Sequence, residues 1–529
     1  MYKKYTIPVL SFFFLILSLP FIGILTKVNY DFNSIANFIT NPYTLKIIFF
    51  SLYQAILSAI ISCTLAIPLA LALNRHKNHF IIKSIISLCG FSFVIPSILI
   101  VYSVIQIYGY NGFLNASFNF YNILSIDSIY GIKAILIAHV LLNTPFATRL
   151  FVQNLNNIPK NYYEISRTFN MSIIGNIIKL EFPIIKQNLF TVFSIIFSLC
   201  FLSFAIVMAL GGGPRNSTLE VAIYQYALFE LNFDKAIILS LIQIIICLFF
   251  VFIGFFKLKG SNFFEIEIKS NDHPHKNYKL IKIIDFLIIT FFIIFLFSPI
   301  VILLTDFINS DFSSIIFSIT FLKAFANSIL ISIITGSLVS VIGFIISCLI
   351  IINYKNILLQ QLLFLFSSMI IIISPIIFSL GYFIILQNFI HLFYYKLFVV
   401  ILINIIFLLP FAILILFSTL KNIYLSYKDI KITFRISLIN YFKILFPLLK
   451  KNFFYVFSFS TVITFGDFTI ISFFRSENFE TLPSYLFKLI SIYKFNEASF
   501  VAGIILLVSM LIYFFIDNFS YQGRPVNKT

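Results

Sequence analysis

The chain has 529 residues, of which 60% are hydrophobic and only 10% are charged, and this composition excludes a soluble globular protein. Such a protein needs roughly a quarter of its residues charged to cover its surface. The net charge of +17 comes from Lys and Arg residues scattered between apolar segments, so we predict no nucleic-acid partner, which would require a continuous basic stripe.

Apolar segments long enough to cross the ~30 Å hydrocarbon core as helices recur along the whole chain. Because backbone groups inside a bilayer must satisfy their own hydrogen bonds, we predict an all-α integral membrane protein surrounded by the lipid bilayer. About twelve transmembrane helices are predicted, at 8–26, 47–73, 85–108, 131–150, 189–211, 236–256, 282–304, 328–353, 359–386, 396–418, 453–473 and 498–517.

The first predicted span follows a short basic N-terminus and resembles a signal peptide in composition. No A-x-A-like cleavage site follows it, because the chain continues as Leu25-Thr26-Lys27-Val28, so we expect an uncleaved anchor. With the N-terminus inside and the spans alternating, 26 Lys and Arg fall on the cytoplasmic side and 10 on the other side. This bias predicts that both termini are cytoplasmic.

An informative motif lies in the predicted cytoplasmic loop between the fourth and fifth spans. It combines an acidic residue, Glu164, with Asn170 six positions later and an apolar-x-apolar-Pro group that ends at Pro183. This spacing resembles the EAA loop, the segment through which ABC importer permeases couple to their ATPase. Two short helices would meet at a turn that tolerates positive φ, where Asn170, next to Phe169, replaces the usual Gly. We expect Pro183 to stop the second helix where the chain re-enters the bilayer.

A polar segment in the middle of the chain, 257–281, is predicted to be a cytoplasmic linker between two permease halves. The first half spans 1–256, with its core at about 47–256, and the second half spans 282–529, with its core at about 323–517. Each half would contribute six spans, so both halves would have the same orientation in the membrane.

Sequence repeats support this division into two parallel six-helix repeats. Three pairs of segments resemble each other at an offset of 262 to 265 residues, which indicates a parallel duplication. The pairs are TFNMSIIGNIIKLEFP (168–183) with TFRISLINYFKILFP (433–447), STLEVAIYQ (217–225) with ETLPSYLFK (480–488), and ELNFDKA (230–236) with IYKFNEA (492–498).

The second copy of the EAA-like loop departs from the pattern of the first. Asp429 takes the acidic position and Phe434 repeats the aromatic residue, but Arg435 occupies the turn and Pro447 arrives one residue early. Arg is uncommon at a positive-φ turn. Either that turn is remodelled or the second loop couples more weakly, and both interpretations stay open. An amphipathic connector with a chance motif, the alternative for the first loop, is disfavoured because a second copy exists.

Among the polar residues inside predicted spans, four are candidates to line a substrate route. Asp467 lies in the middle of the eleventh span, and Ser203 occupies the equivalent place 264 residues earlier. A carboxylate near the bilayer centre costs ~2.5–3.5 kcal/mol on insertion scales. Asp467 therefore either lines a substrate route or acts as a structural hydrogen-bond hub that bridges broken helices. His139 and Asn143, one turn apart in the fourth span, serve either helix packing or the same route.

Three longer stretches resemble one family of permeases in particular. These stretches are AHVLLNTPFATRL (138–150), the region 199–243 with LGGGP followed by TLEVAIYQ, and the region 465–493 with GDF followed by TLPSYL. They look like the corresponding regions of the membrane subunit of the bacterial thiamine and thiamine pyrophosphate ABC importer. The resemblance implies a type I ABC importer transmembrane fold in the bacterial inner membrane and transport of thiamine or thiamine pyrophosphate.

The resemblance also implies partners for the chain. A periplasmic thiamine-binding protein would deliver the substrate, and two copies of a cytoplasmic ABC ATPase would dock on the two EAA loops. The chain has no phosphate-binding GxxxxGK[ST] segment, so we expect a transport subunit without its own ATPase site and without a bound cofactor. The five cysteines lie inside apolar segments without paired spacing, so we expect neither disulfides nor a metal site.

Two alternative functions remain at this point. A ferric-iron ABC importer permease would share the twelve-span layout. A secondary transporter with two parallel six-span halves would carry charged signature loops between its second and third spans, whereas this chain has only NRHKNHF (74–80) there. The EAA-like spacing would also have no explanation in a secondary transporter.

Overall fold

The computed structural model describes most of the chain as helices joined by short turns. Within the described ranges, β-structure is limited to an isolated bridge between Ser476 and Phe479, and nine helices are long and apolar enough to cross a membrane. The prediction of an all-α integral membrane protein is confirmed. The described residues are 18–27, 31–119, 122–123, 128–255, 273–275, 278–310, 315–352, 373–386, 393–433 and 438–521.

Besides the helical residues 18–26, eleven described helices of six or more residues precede the linker. The long helix α2 shows how a local cap sets the start of a helix. The Asn41 side chain accepts a hydrogen bond from the amide of Tyr43 (2.9 Å), and Pro42 is the first helical residue. The helices are α1 (Phe32–Thr40), α2 (Pro42–His76), α3 (Phe80–Phe91), α4 (Ser97–Tyr108), α5 (Phe113–Phe118), α6 (Ile132–Leu155), α7 (Lys160–Thr168), α8 (Ile173–Phe201), α9 (Ala205–Leu210), α10 (Leu219–Leu228) and α11 (Phe233–Phe255).

Eight described helices follow the linker. Prolines occur inside several of the long ones, which neighbouring helices of a membrane protein can tolerate. The helices are α12 (Lys279–Ile308), α13 (Ile319–Ile352), α14 (Pro375–Leu386), α15 (Phe393–Thr433), α16 (Leu438–Phe465), α17 (Thr469–Phe474), α18 (Leu482–Ser491) and α19 (Phe495–Tyr521).

Three predicted spans are wrong as single continuous helices. The third, 85–108, is divided into α3 and α4, because Pro96 cannot donate a backbone hydrogen bond and disfavours a helical Ile95. The fifth and eleventh spans are broken after Phe201 and after Phe465, where α9 and α17 begin as separate short helices. Parts of the predicted first and ninth spans and most of the linker lie outside the described residues.

The chain forms two compact units that interleave along the sequence. One unit comprises 30–225 with 238–310, and the other comprises 1–29, 226–237 and 311–529. The seventh predicted span, now helix α12, therefore belongs to the unit that contains most of the first half. Residues 18–27 of the first predicted span belong to the unit that contains most of the second half. The sequence halves and the compact units thus differ by an exchange of these two spans and by the segment 226–237.

Within the second of these units, the exchanged first span packs closely against helix α14. A Cβ atom added to Gly23 would lie 2.8 Å from the carbonyl oxygen of Gly381 and 2.7 Å from a side-chain carbon of Ile385. A Cβ added to Gly381 would lie 2.4 Å from the carbonyl oxygen of Pro20. The two glycines allow the backbones to approach, as small residues commonly do between membrane helices.

Two backbone features recur in the two halves at offsets of 262 and 263 residues, and the serine that accepts one of the hydrogen bonds recurs at an offset of 277. Leu231 and Tyr493, which share an equivalent place in the repeat, both have positive φ, at 52° and 59°. The amide of Leu219 donates to Ser51 Oγ (2.8 Å), and the amide of Leu482 donates to Ser328 Oγ (2.7 Å). These shared features agree with the parallel duplication that the sequence predicts.

Candidate functional site

The first EAA-like loop begins with α7, a short amphipathic helix that follows an extended Pro159. Tyr163 and Ser166 lie on its buried face, whereas Glu164 and Arg167 are exposed. The Ser166 hydroxyl donates to the side-chain oxygen of Asn176 (2.5 Å), which ties α7 to the first turn of α8. The loop is therefore a fixed helix-turn-helix and not an open connector.

The turn between α7 and α8 is built around Asn170, which has a φ of 46°. The amide of Met171 donates to the carbonyl oxygen of Ser166 (3.1 Å), which is the closing bond of a Schellman-type helix end. Ser172 then accepts from the amide of Gly175 (3.1 Å) and caps the following helix. The prediction of a positive φ at Asn170 is confirmed.

The outer face of this loop exposes several large apolar side chains. Phe169, beside the turn, is 76% exposed. An exposed apolar patch rimmed by charged side chains is typical of a protein interaction site. We call this patch the docking face; its apolar members are Tyr162, Ile165, Phe169, Ile174 and Ile178.

The prediction that Pro183 stops the second helix is wrong. Helix α8 continues through Pro183 to Phe201, and the segment Ile177–Glu181 just before it is π-helical. A proline ring clashes with the carbonyl four residues earlier and lacks an amide donor. The wider π-turn moves the hydrogen bonds to the fifth residue, so the helix can continue past the proline. Pro183 therefore modifies the helix without ending it.

A buried ion pair near the loop was missed by the sequence analysis. Arg75, at the end of α2, donates from Nε (2.8 Å) and Nη2 (2.6 Å) to the two oxygens of Asp285 in α12. His76 Nε2 lies 3.1 Å from the same carboxylate. Removal of one partner from a buried pair of this kind costs ~3–5 kcal/mol. The pair fastens the exchanged seventh span within its unit. The sequence analysis missed it because no local pattern connects residues 210 positions apart.

Two ionisable groups beside the loop have shifted pKa values. Burial lowers the pKa of Lys77 to about 8, although the negative charge of Glu181 opposes the shift. The Lys77 ammonium donates to the side-chain oxygen of Asn156 (2.7 Å). Burial also raises the pKa of the Tyr163 phenol, and the Glu181 carboxylate raises it further. The inner face of the loop is therefore a desolvated polar site, in contrast to the docking face.

The second EAA-like loop is only partly described. Asp429 lies within helix α15, and Pro447 lies within α16, where it is exposed. Phe434 and Arg435 lie outside the described residues. The choice between a remodelled turn and weaker coupling in this loop therefore stays a prediction.

Asp467 does not lie in the middle of a continuous helix, as predicted, but in the break between α16 and α17. Its carboxylate accepts hydrogen bonds from the amides of Thr469 (3.0 Å) and Ile470 (3.2 Å), and so caps the start of α17. These bonds are those of a helix cap, and the two predicted roles of Asp467, in a substrate route and as a hub that bridges broken helices, stay predictions.

Ser203 lies in the equivalent break between α8 and α9, where neighbouring helices supply the polar contacts. Gln54 Nε2 donates to the carbonyl oxygen of Cys200 (3.1 Å), and Asn143 Nδ2 lies 3.2 Å from its sulfur. His139, which is 1% exposed, has its Nδ1 3.0 Å from the hydroxyl of Ser58. Asn143 therefore contacts the last turn before the break, whereas His139 pairs with α2.

Within the described part of the chain, no group of three or more His, Cys, Asp or Glu side chains could hold a metal ion. All five cysteines are buried and free. Burial of small thiols inside membrane helices is the arrangement that the sequence predicts for them.

Comparison with known proteins gives several similar sequences of nearly full length. The chain is 30% identical to the thiamine transport system permease protein ThiP of Haemophilus influenzae, over 91% of this chain and 89% of that protein. It is 28% identical to the proteins of the same name from Escherichia coli, over 92% and 90%, and from Brucella suis, over 91% and 89%. No protein-family model matches the sequence.

Proposed function

The chain belongs to the family of bacterial thiamine transport system permeases, and from this premise we propose that it forms the membrane pathway of an ABC importer for thiamine. The observation that carries the proposal is the similarity to a thiamine permease over 91% of the chain at 30% identity. The chain is a multi-pass inner-membrane protein. Thiamine pyrophosphate is the second substrate that the proposal includes.

Energy for transport would come from a separate ATPase subunit that binds the docking face. The exposed apolar side chains around Phe169 support this assignment, because they have no covering element in the described structure, while the turn at Asn170 holds them in place. A second copy of the ATPase would bind the loop that contains Asp429. ATP hydrolysis would then take place outside this chain, which would hold no cofactor.

Each of the two helix breaks is a candidate lining element of the substrate route. Irregular backbone at membrane depth is found only where it is buried in protein or lines a water-filled cavity. The breaks at Ser203 and Asp467 are such places, and they have equivalent positions in the duplication. A periplasmic thiamine-binding protein would deliver the substrate to the outer end of this route.

Growth of a thiamine auxotroph that lacks its own importer tests the substrate. We expect growth on low external thiamine when this chain is expressed with its cognate binding protein and ATPase. The matched control is the same strain with the double variant Glu164→Ala and Phe169→Ala, which should not grow. Rescue of iron uptake without rescue of growth on thiamine would support the ferric-iron alternative and reject the thiamine assignment.

The proposed orientation, with cytoplasmic termini, rests on the 26 to 10 distribution of Lys and Arg. Single cysteines can be introduced at four exposed positions and labelled with a membrane-impermeant maleimide. We expect labelling from outside at Arg215 and Asn478 but not at Asn78 or Thr168. Labelling of Thr168→Cys in intact cells would reverse the orientation and remove the docking face from the ATPase.

A further inference from the structure

The inner face of the first coupling helix, α7, is covered by a histidine from the segment that joins the two halves. His273 is 3% exposed, and its ring lies edge-on to the ring of Tyr163, with centroids 5.1 Å apart and an interplanar angle of 62°. Its Nε2 lies 3.2 Å from Oε1 of Glu181. All three residues belong to the same compact unit.

Glu181 explains why a partner is needed at this place. The residue is 0% exposed and lies in the π-helical segment at the start of the fifth membrane helix. The Tyr163 hydroxyl donates to Glu181 Oε1 (3.3 Å), and Asn74 Nδ2 lies 3.4 Å from the Tyr163 oxygen. A buried carboxylate is strongly destabilising unless donors or cations surround it. His273 is therefore part of what keeps Glu181 inside the protein.

The local backbone fixes which nitrogen of His273 faces the carboxylate. The amide of His275 donates to His273 Nδ1 (3.2 Å), so Nδ1 acts as an acceptor and carries no proton. The other ring nitrogen, Nε2, is the one that faces Glu181, and it approaches Oε1 to 3.2 Å without the alignment of a hydrogen bond. The turn at Pro274, between the two histidines, brings the amide and the ring nitrogen together.

We propose that His273 is a positioning residue that fastens the first coupling helix, through Tyr163 and Glu181, to the membrane helix α8. The proposal rests on the function proposed above, because in an importer the movement of the docked ATPase would reach the membrane helices through this contact. In the second copy of the loop, Leu445 stands in the place of Glu181, so the sequence supplies no equivalent carboxylate there. Among the described linker residues, His273 contacts the first loop.

A crosslinking experiment tests the placement of His273 in the full chain with its ATPase. The pair Tyr163→Cys and His273→Cys should be joined by a short thiol-specific bifunctional crosslinker, because the two native rings are in contact and the native cysteines are buried. The pair Tyr162→Cys and His273→Cys is the matched control, because Tyr162 lies on the exposed face of the same helix. Absence of a crosslink in the first pair, or equal crosslinking in both pairs, would overturn the placement.

A coupling assay in lipid vesicles tests the role of His273. His273→Ala should retain ATPase binding and basal ATP hydrolysis. The stimulation of its ATP hydrolysis by thiamine-loaded binding protein should be at least about fivefold lower than in the wild type. His273→Gln, whose amide can donate in place of Nε2–H, should recover most of the stimulation. His79→Ala, at an exposed histidine on the same membrane side, should leave the stimulation unchanged.

The outcomes separate the two proposals. Normal stimulation in His273→Ala would overturn the positioning role. Loss of both ATPase binding and stimulation in the two His273 variants would overturn it as well. A wild-type complex that does not respond to thiamine-loaded binding protein would instead reject the substrate assignment. In that case the crosslink between positions 163 and 273 still decides whether the linker lies against the coupling helix.

Discussion

After Phe201 and after Phe465 the chain leaves a membrane helix in the same way, with three non-helical residues followed by a six-residue helix. The chemistry at the two breaks differs. At the first break, Gln54 and Asn143 contact Cys200 in the preceding turn from neighbouring helices. At the second break, Asp467 caps the following helix from within the break itself.

The backbone of a duplicated membrane protein can thus be retained while its polar side chains diverge. A helix break leaves amides and carbonyls without intrahelical partners, and the membrane supplies no water to replace them. Either a neighbouring helix or a residue in the break can supply the missing partners. Each half uses one of these solutions, so equivalent substitutions in the two halves should have unequal effects.

Equivalent substitutions in the two coupling loops should show the largest difference in effect between the halves. Glu164→Ala with Phe169→Ala removes the acidic residue and the most exposed aromatic residue of the docking face, so most ATPase binding should be lost while the permease stays inserted. Asp429→Ala with Phe434→Ala should remove less binding, because the second motif already departs from the pattern. Co-purification of the ATPase measures both effects. Equal losses would show that the two loops couple alike despite Arg435.

Equivalent substitutions at the two helix breaks should show the next largest difference in effect. Asp467→Ala deprives two amides of their acceptor and should reduce the stability of the protein by ~1–2 kcal/mol, whereas Ser203→Ala should have little effect. Asp467→Asn retains a good capping side chain without the charge. We therefore expect Asn to restore the folded yield in detergent and thiamine uptake in vesicles. Loss of uptake at normal yield in Asp467→Asn would instead make the carboxylate part of the substrate route.

The turn of the first coupling loop should show a smaller, local effect. Asn170→Val places a β-branched residue at a φ of 46°, which costs ~1–2 kcal/mol relative to a residue that tolerates this conformation. Asn170→Gly should be neutral, and Arg435→Gly should strengthen ATPase binding if the second loop has the same turn. Thermal unfolding and ATPase co-purification measure these changes. Tolerance of Val at position 170 would contradict the strained turn.

The smallest expected effects concern Leu231 and Tyr493, which repeat a positive φ in the two halves. Glycine adopts this conformation without the steric cost of a Cβ atom, so Leu231→Gly and Tyr493→Gly should each stabilise the protein by about 1 kcal/mol or less. Similar increases in unfolding temperature would indicate equal strain at the two places. A clear decrease for one variant would show that its side chain contributes packing in that half alone.

The amino-acid sequence by itself determined the all-α membrane architecture, the offset of the duplication and the positive φ at Asn170. These features depend on local properties: hydropathy over about twenty residues, the spacing of a short motif and the tolerance of Asn for a left-handed conformation. The similarity to thiamine permeases was also visible in the linear order of residues. Each of these could be predicted because it depends on residues close together in the chain or on the linear order of residues alone.

Only the tertiary structure decided where helices break and which distant residues meet. Asp467 lies in an apolar segment that hydropathy cannot distinguish from a continuous helix, and Pro183 is accommodated by a π-turn. The exchange of the first and seventh spans, the pair of Arg75 with Asp285, and the contact of His273 with Glu181 join residues far apart in sequence. Such contacts follow from packing in three dimensions, for which the sequence carries no period or spacing.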